Sequence, residues 1–99
     1  MSLLEREIEL PAVQFAVSRS IMCKKLMLSS ERGWPDRTFL YRGKVMFIEF
    51  KAPGEKPDPL QMFTINNLRS QGFEVHICDN LDQAKIIIQE FKYNADRNQ

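Results

Sequence analysis

Lys44-Val45-Met46-Phe47-Ile48-Glu49-Phe50-Lys51 is the stretch whose reading decides the fold. Five of its eight residues are apolar, which predicts a strand buried on both faces. Side chains alternate along a strand, so Val45, Phe47, Glu49 and Lys51 share one face while Met46, Ile48 and Phe50 share the other. Glu49 and Lys51 are out of place in such a run. A buried carboxylate or ammonium is expensive unless it is paired or bound to a metal. The residues alone leave three readings open: a simple ion pair, a strand end reaching solvent, or a functional site.

Working upstream, Thr38 to Arg42 forms a second strand, and Gly43 turns the chain into the first. A tight turn makes the two strands antiparallel, so the start of one lies beside the end of the other. Asp36 stands 13 residues before Glu49. The hairpin therefore brings Asp36, Glu49 and Lys51 together. Two carboxylates and a lysine make poor core material but a good site for a hard cation, since Mg²⁺ takes one or two carboxylates and completes its shell with waters and phosphate oxygens. A lysine there could orient a water or neutralise developing negative charge. The plainer alternative for Asp36 is a turn residue following Pro35.

The rest of the chain frames that hairpin. Leu4, Ile8, Ala12, Phe15 and Met22 recur at helical steps or multiples of them, predicting an amphipathic helix over about 3–25 that Pro11 kinks or restarts. Residues 29–36 form a loop by composition, with room for a short strand near Lys25–Ser29. The three prolines and one glycine of residues 52–59 make another loop, after which Pro59 suits the first turn of a helix reaching Ser70 and Gly72 its C-terminal cap. Phe73 to Cys78 is a strand. Within it His76 lies opposite Phe73, Val75 and Ile77 and reads as a surface histidine. Asp79 or Asn80 caps a last helix, Leu81 to about Phe91, and the polar tail 93–99 is expected to fray. Helix, strand, strand, helix, strand, helix gives an α/β fold with a three- or four-stranded mixed sheet and helices packed on it.

Length and composition set the limits. Ninety-nine residues, 43% hydrophobic and 27% charged, make one globular domain, 1–99, with its core over about 3–91. No apolar run is long enough to span a membrane. The start, Met1 to Glu7, lacks the basic and apolar stretches of a secretory leader. Cys23 and Cys78 form neither a CxxC pair nor a metal spacing, which fits a reduced, cytoplasmic setting. One histidine excludes a His-rich zinc site, and no phosphate-binding loop, dinucleotide fingerprint or hydrolase elbow is present. Net charge is +1, yet Arg19 to Lys56 holds nine basic residues against four acidic ones. That basic middle is compatible with a polyanionic partner, or with ordinary surface charge.

Pro35-Asp36 followed by Glu49-Phe50-Lys51 resembles the PD-(D/E)xK nuclease signature. Within that superfamily, Gly33-Trp34-Pro35-Asp36-Arg37, then Phe47 through Gly54, then Pro59-Leu60-Gln61, Leu68 and Gly72-Phe73 resemble the virus-type replication-repair nuclease (VRR-NUC) domain. The likeness covers about residues 5–91 and implies a restriction-endonuclease-like core. By that resemblance Asp36, Glu49 and the main-chain carbonyl of Phe50 bind Mg²⁺ or Mn²⁺, Lys51 positions the attacking water or stabilises the transition state, and Gln61 completes the catalytic face. Either Glu5 or Glu9 of the first helix adds to the metal site. Arg37, Lys25, Arg32 and Trp34 stand as DNA contacts, each with a surface or packing role as its alternative. The resemblance further implies a structure-selective endonuclease for branched DNA, such as four-way (Holliday) junctions or flaps, acting in replication, recombination or repair. It also implies a homodimer, encoded by a phage or a bacterium and working in the bacterial cytoplasm. The rival from another class is a catalytically silent nucleic-acid-binding or assembly module with the same fold.

Overall fold

The computed structural model describes residues 2–26 and 33–98. Seven elements follow in order: α1 (Leu3–Ser18), β1 (Met22–Lys24), β2 (Arg37–Tyr41), β3 (Lys44–Phe50), α2 (Pro59–Ser70), β4 (Glu74–Cys78) and α3 (Leu81–Arg97). The four strands form one mixed sheet in the order β1-β2-β3-β4. β1 pairs antiparallel with β2, β2 antiparallel with β3, and β3 parallel with β4. The architecture is the mixed, helix-flanked α/β sheet that the sequence predicts.

The two faces of β3 organise the core as the alternation requires. Met46, Ile48 and Phe50 pack with Phe39 against Ile8, Ala12 and Ala16 of α1 and Ala84, Ile88 and Phe91 of α3. On the opposite face, Phe47 meets Ile65 of α2 and Val75 of β4, with Trp34, Val45, Met62, Leu68 and Ile77 around them. The sheet thus lies between α1 and α3 on one side and α2 on the other. Glu49 belongs by alternation to the α2 side.

Two boundaries differ from expectation. The first helix stops at Ser18 instead of continuing to about residue 25. Ser20 takes a left-handed backbone, φ 66°, and turns the chain into β1. Met22, which looked like the next helical turn, therefore sits in a strand opposite Leu40. The extra strand anticipated near Lys25–Ser29 is not found at Lys25 or Leu26; β1 ends before it, at Lys24, and residues 27–29 lie outside the described residues. Pro11 does not restart the helix, which runs through it as one element.

The second difference is at the C-terminus, where the polar tail is helical as far as Arg97. Tertiary contacts hold what composition did not promise. Ala95 is buried, the Tyr41 hydroxyl donates to Asp96 at 2.7 Å, and Lys92 meets Asp96 one turn away at 3.0 Å. Asn80 caps the start of α3, its side chain accepting from the Gln83 amide at 2.8 Å.

Candidate active site

Ladder register brings the two signature acids together. The β2–β3 pairs run from Tyr41↔Lys44 to Arg37↔Ile48, and Asp36 follows at a bend just past the last pair, where its charge and its main-chain N–H both bear on the Glu49 carboxyl. Glu49 faces α2, where Gln61 meets it, while Arg37, one residue after Asp36, meets Glu9 of α1. The Phe50 N–H donates to Asp36 Oδ2 at 2.8 Å, which ties the Asp36 carboxylate to the end of β3. Pro35 has no N–H to offer a neighbouring strand. The Phe50 carbonyl, on the residue after Glu49, remains the main-chain candidate for a metal ligand.

Glu49 is 2% exposed. Its Oε2 accepts from Gln61 Nε2 at 2.9 Å and lies 3.5 Å from Lys51 Nζ. Its Oε1 is buried and meets no well-formed hydrogen bond among the described residues, although the Asp36 main-chain N–H lies near enough to the carboxyl to favour its charged form. Burial, reinforced by the charge of Asp36, pushes the Glu49 carboxyl up to about 8 despite the opposing Lys51. Burial also raises Asp36, with the charges of Glu9 and Glu5 adding to it and the Phe50 N–H opposing. Two desolvated carboxylates side by side form an electron-rich cleft that a cation would relieve. Among the described residues no group of three or more His, Cys, Asp or Glu side chains is placed to hold a metal ion. The donor set is open: two carboxylates and a carbonyl, the kind that suits Mg²⁺ or Mn²⁺ with water and phosphate completing the shell.

Gln61 enters from the first turn of α2. Asp58 is the N-cap of that helix and accepts from the Gln61 amide N–H at 2.8 Å, while the Asp58 N–H donates to Gln61 Oε1 at 2.9 Å. This reciprocal capping box occupies the acceptor end of the Gln61 side chain and leaves its NH₂ end for Glu49. Asp58 is the residue that sequence reasoning missed, although Asp58-Pro59-Leu60-Gln61 carries a readable signal: a capping residue, a proline at the first helical position and a glutamine three residues after the cap. The loop between β3 and α2 is tied down further by the Gly54 N–H donating to Asp79 Oδ2 at 3.0 Å, and Lys51 N–H donates to the Cys78 carbonyl at 2.9 Å. Gly33 lets the other side of the cleft approach α2 closely. Its φ is +83°, and a Cβ there would lie 2.9 Å from the Leu60 carbonyl oxygen.

The two acids of α1 have different surroundings. Glu9 is 1% exposed and forms an ion pair with Arg37 Nε. Glu5, one turn earlier, is half-buried without such a pair, yet its charge reaches Asp36. Of the candidate DNA contacts, Arg37 is thus engaged with Glu9. Trp34 packs edge-on against Phe47, with centroids 5.7 Å apart, in the smaller core. Lys25 is exposed just past β1, and Arg32 lies outside the described residues. His76 is half-buried, its Nε2 lying 2.8 Å from Glu74 Oε2, away from this cluster on the far side of the sheet.

A family profile described as the VRR-NUC domain matches residues 25–80, more than half of the chain and the whole span from Asp36 to Gln61. The chain belongs to the VRR-NUC family. Its fold agrees: a solved structure titled "VRR_NUC domain" superposes with a TM-score of 0.81 at 26% identity, covering 89% of this chain and 97% of the other. A phage protein, "Putative nuclease p44" of Acyrthosiphon pisum secondary endosymbiont phage 1, is 41% identical over 64 residues, which are 64% of this chain and 69% of the relative. This VRR-NUC chain is therefore a nuclease domain with a phage-related counterpart. No helix among its described residues is long and apolar enough to cross a membrane.

Proposed function

We propose that the protein is a Mg²⁺- or Mn²⁺-dependent DNA endonuclease, selective for branched DNA such as four-way junctions or flaps, and that it acts as a homodimer. The observation that carries the reading is Asp36 beside Glu49 just past the end of the β2–β3 ladder, with a buried Glu49 oxygen that meets no well-formed hydrogen bond among the described residues. Asp36, Glu49 and the Phe50 carbonyl would hold the ion, which when bound supplies a Lewis acid for a phosphoryl oxygen and a more acidic attacking water. Lys51, with its ammonium beside Glu49, orients that water or neutralises the charge that develops on the phosphate. Gln61 fixes Glu49 through its NH₂ group. Glu5 is the better-placed helix residue to contribute from the rim, because Glu9 is committed to Arg37. In-line attack leaves a 5′-phosphate and a 3′-hydroxyl.

Selectivity for branched DNA would rest on duplex shape and on the spacing of two sites in a dimer, since contacts to phosphates carry no sequence information. The basic middle of the chain, including exposed Lys25, supplies phosphate contacts. Labelled four-way-junction, flap, linear-duplex and RNA substrates incubated with Mg²⁺, Mn²⁺ or EDTA test the proposal, with Asp36→Asn and Lys51→Ala alongside. Metal-dependent cutting of branched DNA, lost in both variants, supports it. Binding without turnover in any metal points to the silent module, and preferential cutting of RNA or linear duplex overturns the substrate class.

A further inference from the structure

We infer that the capping box of α2 is part of the catalytic apparatus, and that Asp58 is a positioning residue acting on Glu49 through Gln61. The inference rests on the nuclease reading and deepens it. A glutamine amide has one end that accepts and one that donates, and a half-turn of the terminal torsion exchanges them. Were the Gln61 oxygen to face Glu49, the buried carboxylate would meet another acceptor. The Asp58 N–H prevents that exchange by holding Oε1 at 2.9 Å, while Nε2 donates to Glu49 Oε2, also at 2.9 Å. The Asp58 carboxylate in turn fixes the direction of its own N–H by binding the Gln61 amide at 2.8 Å.

The chain of contacts therefore runs from a helix cap to the acid at the centre of the site. With Oε2 engaged by Gln61 and Lys51, Oε1 is the oxygen that lacks a well-formed hydrogen bond among the described residues. The box thus selects which carboxylate oxygen is presented to the cleft. Helix stability alone does not demand glutamine here, because glutamate serves equally well at the third position of a capping box. Only a donor facing Glu49 distinguishes the two.

Four variants separate this role from mere helix capping. Asp58→Asn keeps both halves of the box and should retain wild-type kcat. Asp58→Pro removes the N–H at a position whose φ of −74° proline shares, so the backbone accommodates it while the hold on Oε1 and the carboxylate cap are both lost. It should lower kcat about tenfold or more with KM little changed. Asp58→Gly keeps the N–H, costs a helix cap little, and should show the same kcat effect at smaller size; it serves if the proline variant fails to fold. Gln61→Glu keeps the cap but turns an acceptor toward Glu49, and it should lose cutting. Wild-type kcat in both Asp58→Pro and Asp58→Gly, or a fall in melting temperature without a fall in kcat, overturns the inference. A second readout needs no turnover. The Gln61 side-chain NH₂ resonances should shift in Asp58→Pro and stay in place in Asp58→Asn, so an inactive wild type would refute the nuclease reading without deciding this one.

Discussion

Metal-free protein should become less stable as pH rises from about 5 to 8, and Glu49→Gln should remove most of that loss. In the unfolded chain Glu49 titrates at its ordinary value, 4.5, whereas burial and Asp36 hold it near 8 in the fold. The folded state binds the extra proton across that window, so stability is full below 4.5 and declines as pH climbs through the folded value. The raised Asp36 acts in the same direction. At about 1.4 kcal/mol per pH unit, and allowing for relaxation around the buried group, the loss by pH 8 is roughly 2–4 kcal/mol. For a domain of this size that is a fall in Tm of about 10–20 °C. A glutamine at 49 offers Gln61 a carbonyl and carries no charge to desolvate. Thermal unfolding followed by circular dichroism in EDTA at pH 5, 7 and 8 measures the effect. Wild type should lose stability over this range while Glu49→Gln keeps only the smaller slope of Asp36, and millimolar Mg²⁺ or Mn²⁺ should restore the wild type far more than the variant. Parallel pH profiles for the two proteins would refute the reasoning.

Gly33→Ala should destabilise by about 2 kcal/mol or more and lower activity, since the new Cβ meets the Leu60 carbonyl at 2.9 Å from a left-handed backbone; chemical denaturation and a cutting assay read both effects. Arg37→Met strands Glu9 as an unpaired buried charge and should cost about 3 kcal/mol, most of it recovered in the Glu9→Gln/Arg37→Met double variant; urea unfolding of the cycle measures it. Burial lifts the Cys23 thiol to about 11 and Cys78 to about 12, so neither should react quickly with a thiol reagent at pH 8 until the protein is unfolded by urea. Asp96→Ala should release the last turn of α3, seen as faster amide hydrogen exchange over residues 93–97 with the rest of the helix protected.

Period-two alternation along β3 made the site legible, because it put Glu49 and Lys51 on one face before any fold was known, and the hairpin then carried Asp36 to them. What stayed hidden was set by contacts distant in sequence. The burial of Glu9 depends on Arg37, 28 residues away, and no local pattern announces it. The end of α1 depends on Ser20 adopting a conformation usually left to glycine, so helical spacing was misread through to Met22. In the same way, polar composition predicted fraying at Tyr93–Arg97 where Tyr41 and the burial of Ala95 hold a helix. Trp34 could be placed on either side of the loop by sequence alone, and its contact with Phe47 draws it inward.

The ladder that brings Asp36 beside Glu49 also says which changes of length the molecule can absorb. Their partnership is counted from the Tyr41↔Lys44 end of the hairpin, not measured along the chain. Lengthening both strands equally at the tip, or grafting a peptide into the Arg42-Gly43 turn, would leave the acids beside one another. A single residue added to one strand alone would instead send one carboxylate through the sheet toward α1 and α3. That turn is accordingly a place to attach a label or a second DNA-reading module without moving the cleft, provided the two strands stay matched.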